Sequence, residues 1–191
     1  MTLGIGAYFF LIAFILAHLE IQIEGPHGWA EKLPTWRWDG PTVRRWVGKP
    51  VTGYHLCLVT CILLFLHVPQ LYGFSWERES DLLAMFFLLT VTWDFLWFAC
   101  NRHFGVGRFR KGQIWWFPSW SLGVPRPYLA GIAFSFCAAV APAIWTGTWG
   151  ARAGQWGIVF AELLALTVVV SVFTLRPAFR RSQGTAKVKP K

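Results

Sequence analysis

Five long apolar segments constrain the fold of this chain more than any other feature of its sequence. They span residues 3–19, 51–72, 82–100, 128–146 and 157–175. A helix rises about 1.5 Å per residue, so about 20 apolar residues cross the hydrocarbon core of a bilayer. Only 14% of the residues are charged, against roughly a quarter in soluble domains. We therefore predict an all-α integral membrane protein, in which residues 1–175 form one bundle of about five transmembrane helices.

Lysine and arginine are distributed unevenly around these segments. The first loop, the third loop and the C-terminal tail carry sixteen of the 18 basic residues, and the second and fourth loops carry only Arg78 and Arg152. Cytoplasmic loops of membrane proteins carry the excess of Lys and Arg. With five spans the three basic regions share one face, so we predict an outside N-terminus and a cytoplasmic C-terminus. The protein is then a multi-pass protein of the cell inner membrane, and residues 176–191 form a basic cytoplasmic tail without fixed structure.

The net charge of +9 also raises the question of a nucleic-acid partner, since Lys and Arg neutralise phosphates in such complexes. The basic residues lie between and after the apolar segments. They form neither a basic helix face nor a recognisable nucleic-acid-binding module. We therefore expect this charge to meet the lipid bilayer, with its anionic lipids at the cytoplasmic face, and we expect no nucleic-acid partner.

Two loops on the predicted cytoplasmic face are more than connections. The first, residues 20–50, mixes Trp, charge and frequent Pro and Gly, which predicts a compact element at the headgroups rather than one helix. The third carries five basic and no acidic residues among aromatic ones. Rings that enter the acyl boundary beside cations that meet headgroups are typical of an interfacial segment. The candidates for binding an anionic lipid headgroup, or alternatively a phosphorylated substrate, are Arg102, Arg108, Arg110 and Lys111.

Asp94 lies near the middle of the third predicted span. At 100° per residue, Thr90 and Asn101 lie within about 40° of it, so a polar stripe runs towards the cytoplasmic end of that helix. Such a stripe indicates a packed or hydrated face. An interhelical hydrogen-bond seam and a substrate or proton site are both open. In the predicted outer half, Glu162 and His67 are expected to form a structural pair.

Histidines and carboxylates gather at the cytoplasmic ends of the predicted helices. The catalytic candidates are Asp94, His55, Glu20, Glu24 and His27. The candidate metal ligands are His18, His55 and His103. Such side chains together hold Zn, Fe or Mn, or perform acid–base chemistry near neutral pH. No H-E-x-x-H or similar motif is present, so the sequence names no cofactor, and a haem between His18 and His55 stays open.

Several short segments within roughly the first 120 residues carry a resemblance. They are Ile23-Glu24-Gly25, Gly28-Trp29-Ala30, Leu33-Pro34-Thr35-Trp36, Thr52-Gly53-Tyr54-His55 and Asp94-Phe95-Leu96-Trp97-Phe98. In these segments the chain resembles small multi-pass prokaryotic membrane proteins of unassigned function that carry an IEGxxGWAxxLPTW segment. The resemblance implies a bacterial inner-membrane setting and brings no activity with it.

Three functions fit these features. The first is an enzyme or ligand-binding protein that modifies or binds a lipid or isoprenoid at the cytoplasmic boundary, with Asp94 and His55 in acid–base or metal-ligating roles. The second is a non-catalytic accessory subunit, or a binder of a hydrophobic cofactor, in a larger membrane complex or a homo-oligomer. The third is a proton-coupled transporter, although the chain shows no inverted repeat and only one mid-membrane carboxylate. We favour the first.

Overall fold

The computed structural model describes residues 4–175 of the chain. The helices are α1 (Ile5–Glu24), α2 (Pro41–Val47), α3 (Gly53–His67), α4 (Trp76–Cys100), α5 (Arg126–Val140), α6 (Ala143–Thr146) and α7 (Trp149–Leu175), with 3₁₀ turns at Val68–Tyr72 and Val106–Arg108. Within the described residues, five helical stretches are long and apolar enough to cross a membrane. This confirms the helical class and the number of membrane-length helices. The predicted tail, residues 176–191, lies outside the described residues.

Two short hairpins form in the first and third loops. Strand β1 (Arg37–Trp38) pairs antiparallel with β2 (Val51–Thr52), and β3 (Trp120–Ser121) pairs antiparallel with β4 (Val124–Pro125). The first hairpin leads directly into α3 and the second directly into α5. Both hairpins therefore lie at the end of the bundle where α1 and α4 finish.

Three helices extend beyond the apolar segments that predicted them. Helix α1 continues past residue 19 to Glu24, α4 begins at Trp76 instead of residue 82, and α7 begins at Trp149 instead of residue 157. Helix α4 begins early because the Ser75 side chain accepts the backbone N–H of Arg78, which caps the helix N-terminus. Hydropathy marks only the apolar part of a helix. The predicted ends of these three helices therefore lie several residues inside the ends that the structure shows.

Helix α4 is the central helix and packs against α1, α5 and α7. Near its end, its side chains join a buried cluster with residues of the third loop. That loop contributes Ile114, Trp116 and Phe117, which are buried beside Trp97 and Phe98 of α4. The loop predicted to be an interfacial segment thus also supplies part of the hydrophobic core.

Helix α3 packs at the edge of the bundle. Of its residues only Gly53 is buried, and Leu64 and Phe65 leave 66% and 72% of their surface exposed. Apolar surface of this kind is typical of a face that meets lipid or another protein.

The polar residues at the opposite end of the bundle pair differently from the prediction. His67 Nε2 lies 3.0 Å from Glu79 Oε1. Glu162 Oε1 accepts the backbone N–H of Gly4 at 3.0 Å. The predicted pairing of His67 with Glu162 is therefore wrong. Glu79 was overlooked because the predicted third span began only at residue 82.

Candidate metal centre

Four helices bring polar side chains to one point near the end of the bundle. Glu20 and Glu24 lie in the last turns of α1, His55 in the first turn of α3, Asp94 in the second half of α4 and Tyr128 in the first turn of α5. Four residues correspond to about one helical turn, so Glu20 and Glu24 share a face of α1, about 40° apart. Because α1 continues to Glu24, both carboxylates are held by helical backbone.

His55 lies between the two glutamates. Its Nε2 is 3.5 Å from Glu20 Oε1 and 3.5 Å from Glu24 Oε1. One ligand atom from each of these three residues lies within 4.8 Å of the other two. The side chains are only 9%, 2% and 14% exposed for Glu20, Glu24 and His55, so bulk water does not screen their charges.

The His55 ring is held from two sides. Its Nδ1 is 2.6 Å from the hydroxyl oxygen of buried Thr52. Its ring stacks on Trp29, with centroids 4.0 Å apart and planes inclined by 15°. When Nδ1–H donates to Thr52, the lone pair of Nε2 faces the carboxylates. This is the arrangement in which imidazole binds a metal while a neighbouring acceptor fixes its tautomer.

The segment after α1 folds back onto the centre. The backbone N–H of buried Ala30 donates to Glu24 Oε1, and the Trp29 indole N–H donates to the carbonyl of Pro50 at 2.7 Å. Trp29 and Ala30 have φ angles of 57° and 52°, which side-chain-bearing residues rarely adopt. Strained backbone of this kind concentrates at functional sites.

Asp94 and Tyr128 form a second polar pair beside the first group. The Tyr128 hydroxyl donates to Asp94 Oδ2, and Tyr128 is only 7% exposed. Asp94 lines the same cavity as the two glutamates and His55. It is therefore available as a further oxygen ligand or as an acid–base group, with its carboxylate oriented by the tyrosine.

A small cavity of about 10 Å³ lies between these side chains. Its remaining walls are the aromatic rings of Trp29, Trp97, Phe98 and Trp116. Among the described residues, the buried indole N–H of Trp97 has no hydrogen-bond partner. A volume of roughly 10–15 Å³ holds about one water-sized species. The centre thus has room for an ion or a water, but not for an organic molecule.

Lys49 is a buried cation close to the centre. It is 9% exposed, and its Nζ lies 3.3 Å from the centroid of the Trp29 ring. Burial lowers the pKa of Lys49 to about 8, against the opposing influence of Asp94, Glu20 and Glu24. Loss of hydration disfavours the ammonium form, and nearby carboxylates favour it. Lys49 is therefore a buried positive charge that interacts favourably with the carboxylates of this centre.

Four of the five catalytic candidates lie at this centre, and His27 does not. Asp94, His55, Glu20 and Glu24 line one cavity, whereas the His27 side chain is 42% exposed and pairs with Glu31 at 3.8 Å. The catalytic role of the four stays a prediction. His27 follows Glu24 closely in sequence, but the chain turns away from the helix axis after Gly25, so closeness in sequence did not predict its position.

The three histidines named as metal ligands do not come together. His18 is two residues from Glu20, so it lies about 160° away around α1, and its Nδ1 contacts the Phe14 carbonyl at 2.9 Å. His103 Nε2 accepts the Arg102 side chain at 3.1 Å. Of this set, only His55 joins the carboxylates, and no haem-ligating arrangement of His18 with His55 follows from these positions.

Sequence reasoning missed Lys49, Trp29, Thr52 and Tyr128 as members of the site. Lys49 lies two residues before strand β2, and Thr52 is the last residue of that strand, directly before α3. A lysine beside a proline, just before an apolar segment, was a usable signal for a cation near the headgroup level. Trp29 and Tyr128 had no comparable signal, because their positions depend on how the loops fold back.

The four residues predicted to bind a headgroup divide into two pairs. Arg102 contacts His103, and Arg108 donates to the His103 carbonyl at 2.9 Å. Arg110 and Lys111 instead line an open groove of about 360 Å³ with Phe109 and the second hairpin.

Fold and site together define a helical protein with five membrane-length helices and a buried carboxylate–histidine centre at one end of the bundle. No protein-family model matches the sequence, and comparison with curated proteins and with solved structures gives no significant match. The resemblance to small prokaryotic membrane proteins stays a prediction.

Proposed function

We propose that this chain is an integral membrane protein that binds one divalent transition-metal ion between Glu20, Glu24 and His55. The observation that carries the proposal is the placement of three potential ligand atoms within 4.8 Å of one another. Ligands at about 2.0–2.2 Å from an ion lie at most about 4.4 Å apart. Side-chain shifts of a few tenths of an ångström therefore close the site around an ion.

The donor set favours particular ions. One imidazole with two or three carboxylate oxygens suits Mn²⁺, Fe²⁺ or Zn²⁺ better than soft ions such as Cu⁺, which prefer thiolates. Burying carboxylates without a compensating charge is costly. Lys49 contributes a single positive charge, whereas a divalent ion neutralises two carboxylates directly.

The location of the centre suggests what the ion does. In the predicted topology it lies at the cytoplasmic boundary of the membrane, where the head of a lipid or isoprenoid is accessible. Metal ions polarise phosphoryl and carbonyl oxygens and lower the pKa of bound water. Asp94, which is oriented by Tyr128, would supply a base beside a bound ion. The activity that we propose for this centre is a reaction at the head of a lipid or isoprenoid. Because the cavity admits only a water-sized species, the proposal requires its aromatic walls to move apart when the lipid head enters.

The test is a metal titration of the full chain, purified in mild detergent and stripped with a chelator. We expect one equivalent of Mn²⁺, Fe²⁺ or Zn²⁺ to bind, as measured by calorimetry and elemental analysis. Glu24→Gln and His55→Ala should each weaken binding by about 100-fold or more, equivalent to about 3 kcal/mol. In Glu24→Gln the amide oxygen can still accept the Ala30 N–H, so the local fold should survive.

Matched controls are available in the same loop. His27 and Glu31 form an exposed pair, so His27→Ala and Glu31→Gln should leave the affinity within about twofold of wild type. Co²⁺ gives an independent spectroscopic readout, because imidazole and carboxylate ligation changes its visible absorption bands. The proposal fails if stripped wild-type protein takes up none of these ions, or if the control variants weaken binding as much as Glu24→Gln.

A further inference from the structure

The groove beside the second hairpin carries a separate inference. Its walls include Phe109, Arg110, Lys111, Trp120 and Leu122, around a volume of about 360 Å³. Phe109 packs edge-on against Trp120 and also contacts Tyr128, with ring centroids 5.3 Å and 5.6 Å apart. The groove is thus fixed to the start of α5, at the same end of the bundle as the carboxylate–histidine centre.

Among the described residues, no acidic side chain pairs with the two cations of this groove. Within residues 4–175, no ion pair involves Arg110 or Lys111, and both are exposed. The sequence contains no Asp or Glu between Asp94 and Glu162. The local field is therefore positive, and an anion from outside the chain is the complementary ligand.

Leu122, at the tip of the hairpin, is unusual in two respects. It is 89% exposed, and it has a φ of 51°, followed by Gly123 at 79°. Two-residue turns with positive φ at both positions strongly favour Asn-Gly or Asp-Gly. A leucine here is strained and, in water, exposes a large apolar side chain. In contact with acyl chains, the same side chain is stabilised by burial.

We propose that this groove binds the phosphate of an anionic phospholipid, with Arg110 and Lys111 at the phosphate and Leu122 inserted among the acyl chains. Cations beside an apolar side chain match the two parts of such a lipid. A soluble phosphate compound shares the phosphate chemistry but offers nothing to Leu122. The groove is distinct from the proposed metal centre, and the lipid-binding proposal does not depend on metal binding.

The test measures lipid binding to the full chain in mild detergent by native mass spectrometry. Phosphatidylglycerol is the anionic probe, and phosphatidylcholine and inorganic phosphate are the comparisons. Wild-type protein should bind phosphatidylglycerol at least tenfold more tightly than phosphatidylcholine. The double variant Arg110→Gln/Lys111→Gln should lose this preference. The matched control Lys32→Gln/Arg45→Gln removes one lysine and one arginine from exposed positions in the first loop. This control should keep the preference for phosphatidylglycerol.

A second variant separates lipid from soluble phosphate. Leu122→Asn should lower phosphatidylglycerol affinity about tenfold, whereas any binding of inorganic phosphate should not change. Because asparagine tolerates positive φ, the melting temperature of this variant should equal or exceed that of wild type. Such a result excludes misfolding as the cause of the lower lipid affinity. Equal losses in the two double variants, or phosphatidylglycerol binding unaffected by Leu122→Asn, would overturn the proposal. Metal binding by these variants should match wild type, so the two proposals succeed or fail separately.

Discussion

Replacement of Asn101 by Leu is expected to lower the free energy of unfolding by about 2–5 kcal/mol. Asn101 is 1% exposed. Its Nδ2 donates to the Gly25 carbonyl at 2.9 Å, and its Oδ1 accepts the His103 N–H at 3.0 Å. Leucine leaves both partly buried backbone groups without these partners, and an unsatisfied group that is buried costs about 1–3 kcal/mol.

The same substitution should also disturb the metal centre. The Asn101–Gly25 bond ties the end of α4 to the end of α1, which carries Glu20 and Glu24. Without it, the carboxylates are held less closely to Asp94. We therefore expect metal affinity to fall about tenfold in the part of the population that stays folded.

Thermal and denaturant unfolding in detergent, followed by circular dichroism, measures the stability change. Gln113→Leu is the matched control, because it removes an exposed amide from the third loop and should change stability by less than about 0.5 kcal/mol. If Asn101→Leu were as stable as this control, the Asn101–Gly25 hydrogen bond between α4 and α1 would not contribute to stability.

The five helices were predictable because the bilayer acts as a solvent that leaves a strong pattern. A membrane span needs about 20 apolar residues whatever surrounds it, and each described span contains such a stretch. The ends were less predictable. Glu20 and Glu24 lie on α1, but a hydropathy criterion treats a carboxylate as the end of the span. Helix continuity depends on backbone hydrogen bonds, and these are not interrupted by a charged side chain.

Part of the site was predictable for the same reason. Glu20 and His55 lie at the ends of predicted spans, so connectivity alone placed them at one end of the bundle. Asp94 lies deeper in its span, and the polar stripe towards Asn101 pointed to the same end. Which faces of the helices meet was not predictable, and His18 was named although it lies on another face of α1. Gly28 illustrates the missing information: the Trp116 ring lies against it, where any added Cβ would overlap the ring. Only a folded third loop brings these two residues together.

Replacement of Lys49 by Met is expected to strengthen metal binding by about ten- to a hundredfold. Lys49 carries a positive charge near the carboxyl groups of the centre, and that charge should repel an incoming cation. At an effective dielectric constant of about 20, unit charges several ångströms apart interact by a few kcal/mol. A tenfold change in affinity corresponds to about 1.4 kcal/mol. The change in affinity therefore remains measurable even when relaxation of the protein compensates a large part of this repulsion. Methionine fills a similar apolar volume against Trp29 and Phe117.

Calorimetric titration of stripped protein at one fixed pH measures the effect of Lys49→Met. Lys32→Met is the control, because it removes an exposed lysine of the same loop, where solvent screens the charge, and should change affinity by less than about twofold. An increase confined to Lys49→Met means that the buried lysine and the ion compete for the same carboxylates. A decrease would mean that Lys49 instead holds Trp29, and through it His55, in the binding geometry. In that case the electrostatic role assigned to Lys49 would be wrong. The assignment of Glu20, Glu24 and His55 as ligands would still be tested by the Glu24→Gln and His55→Ala variants.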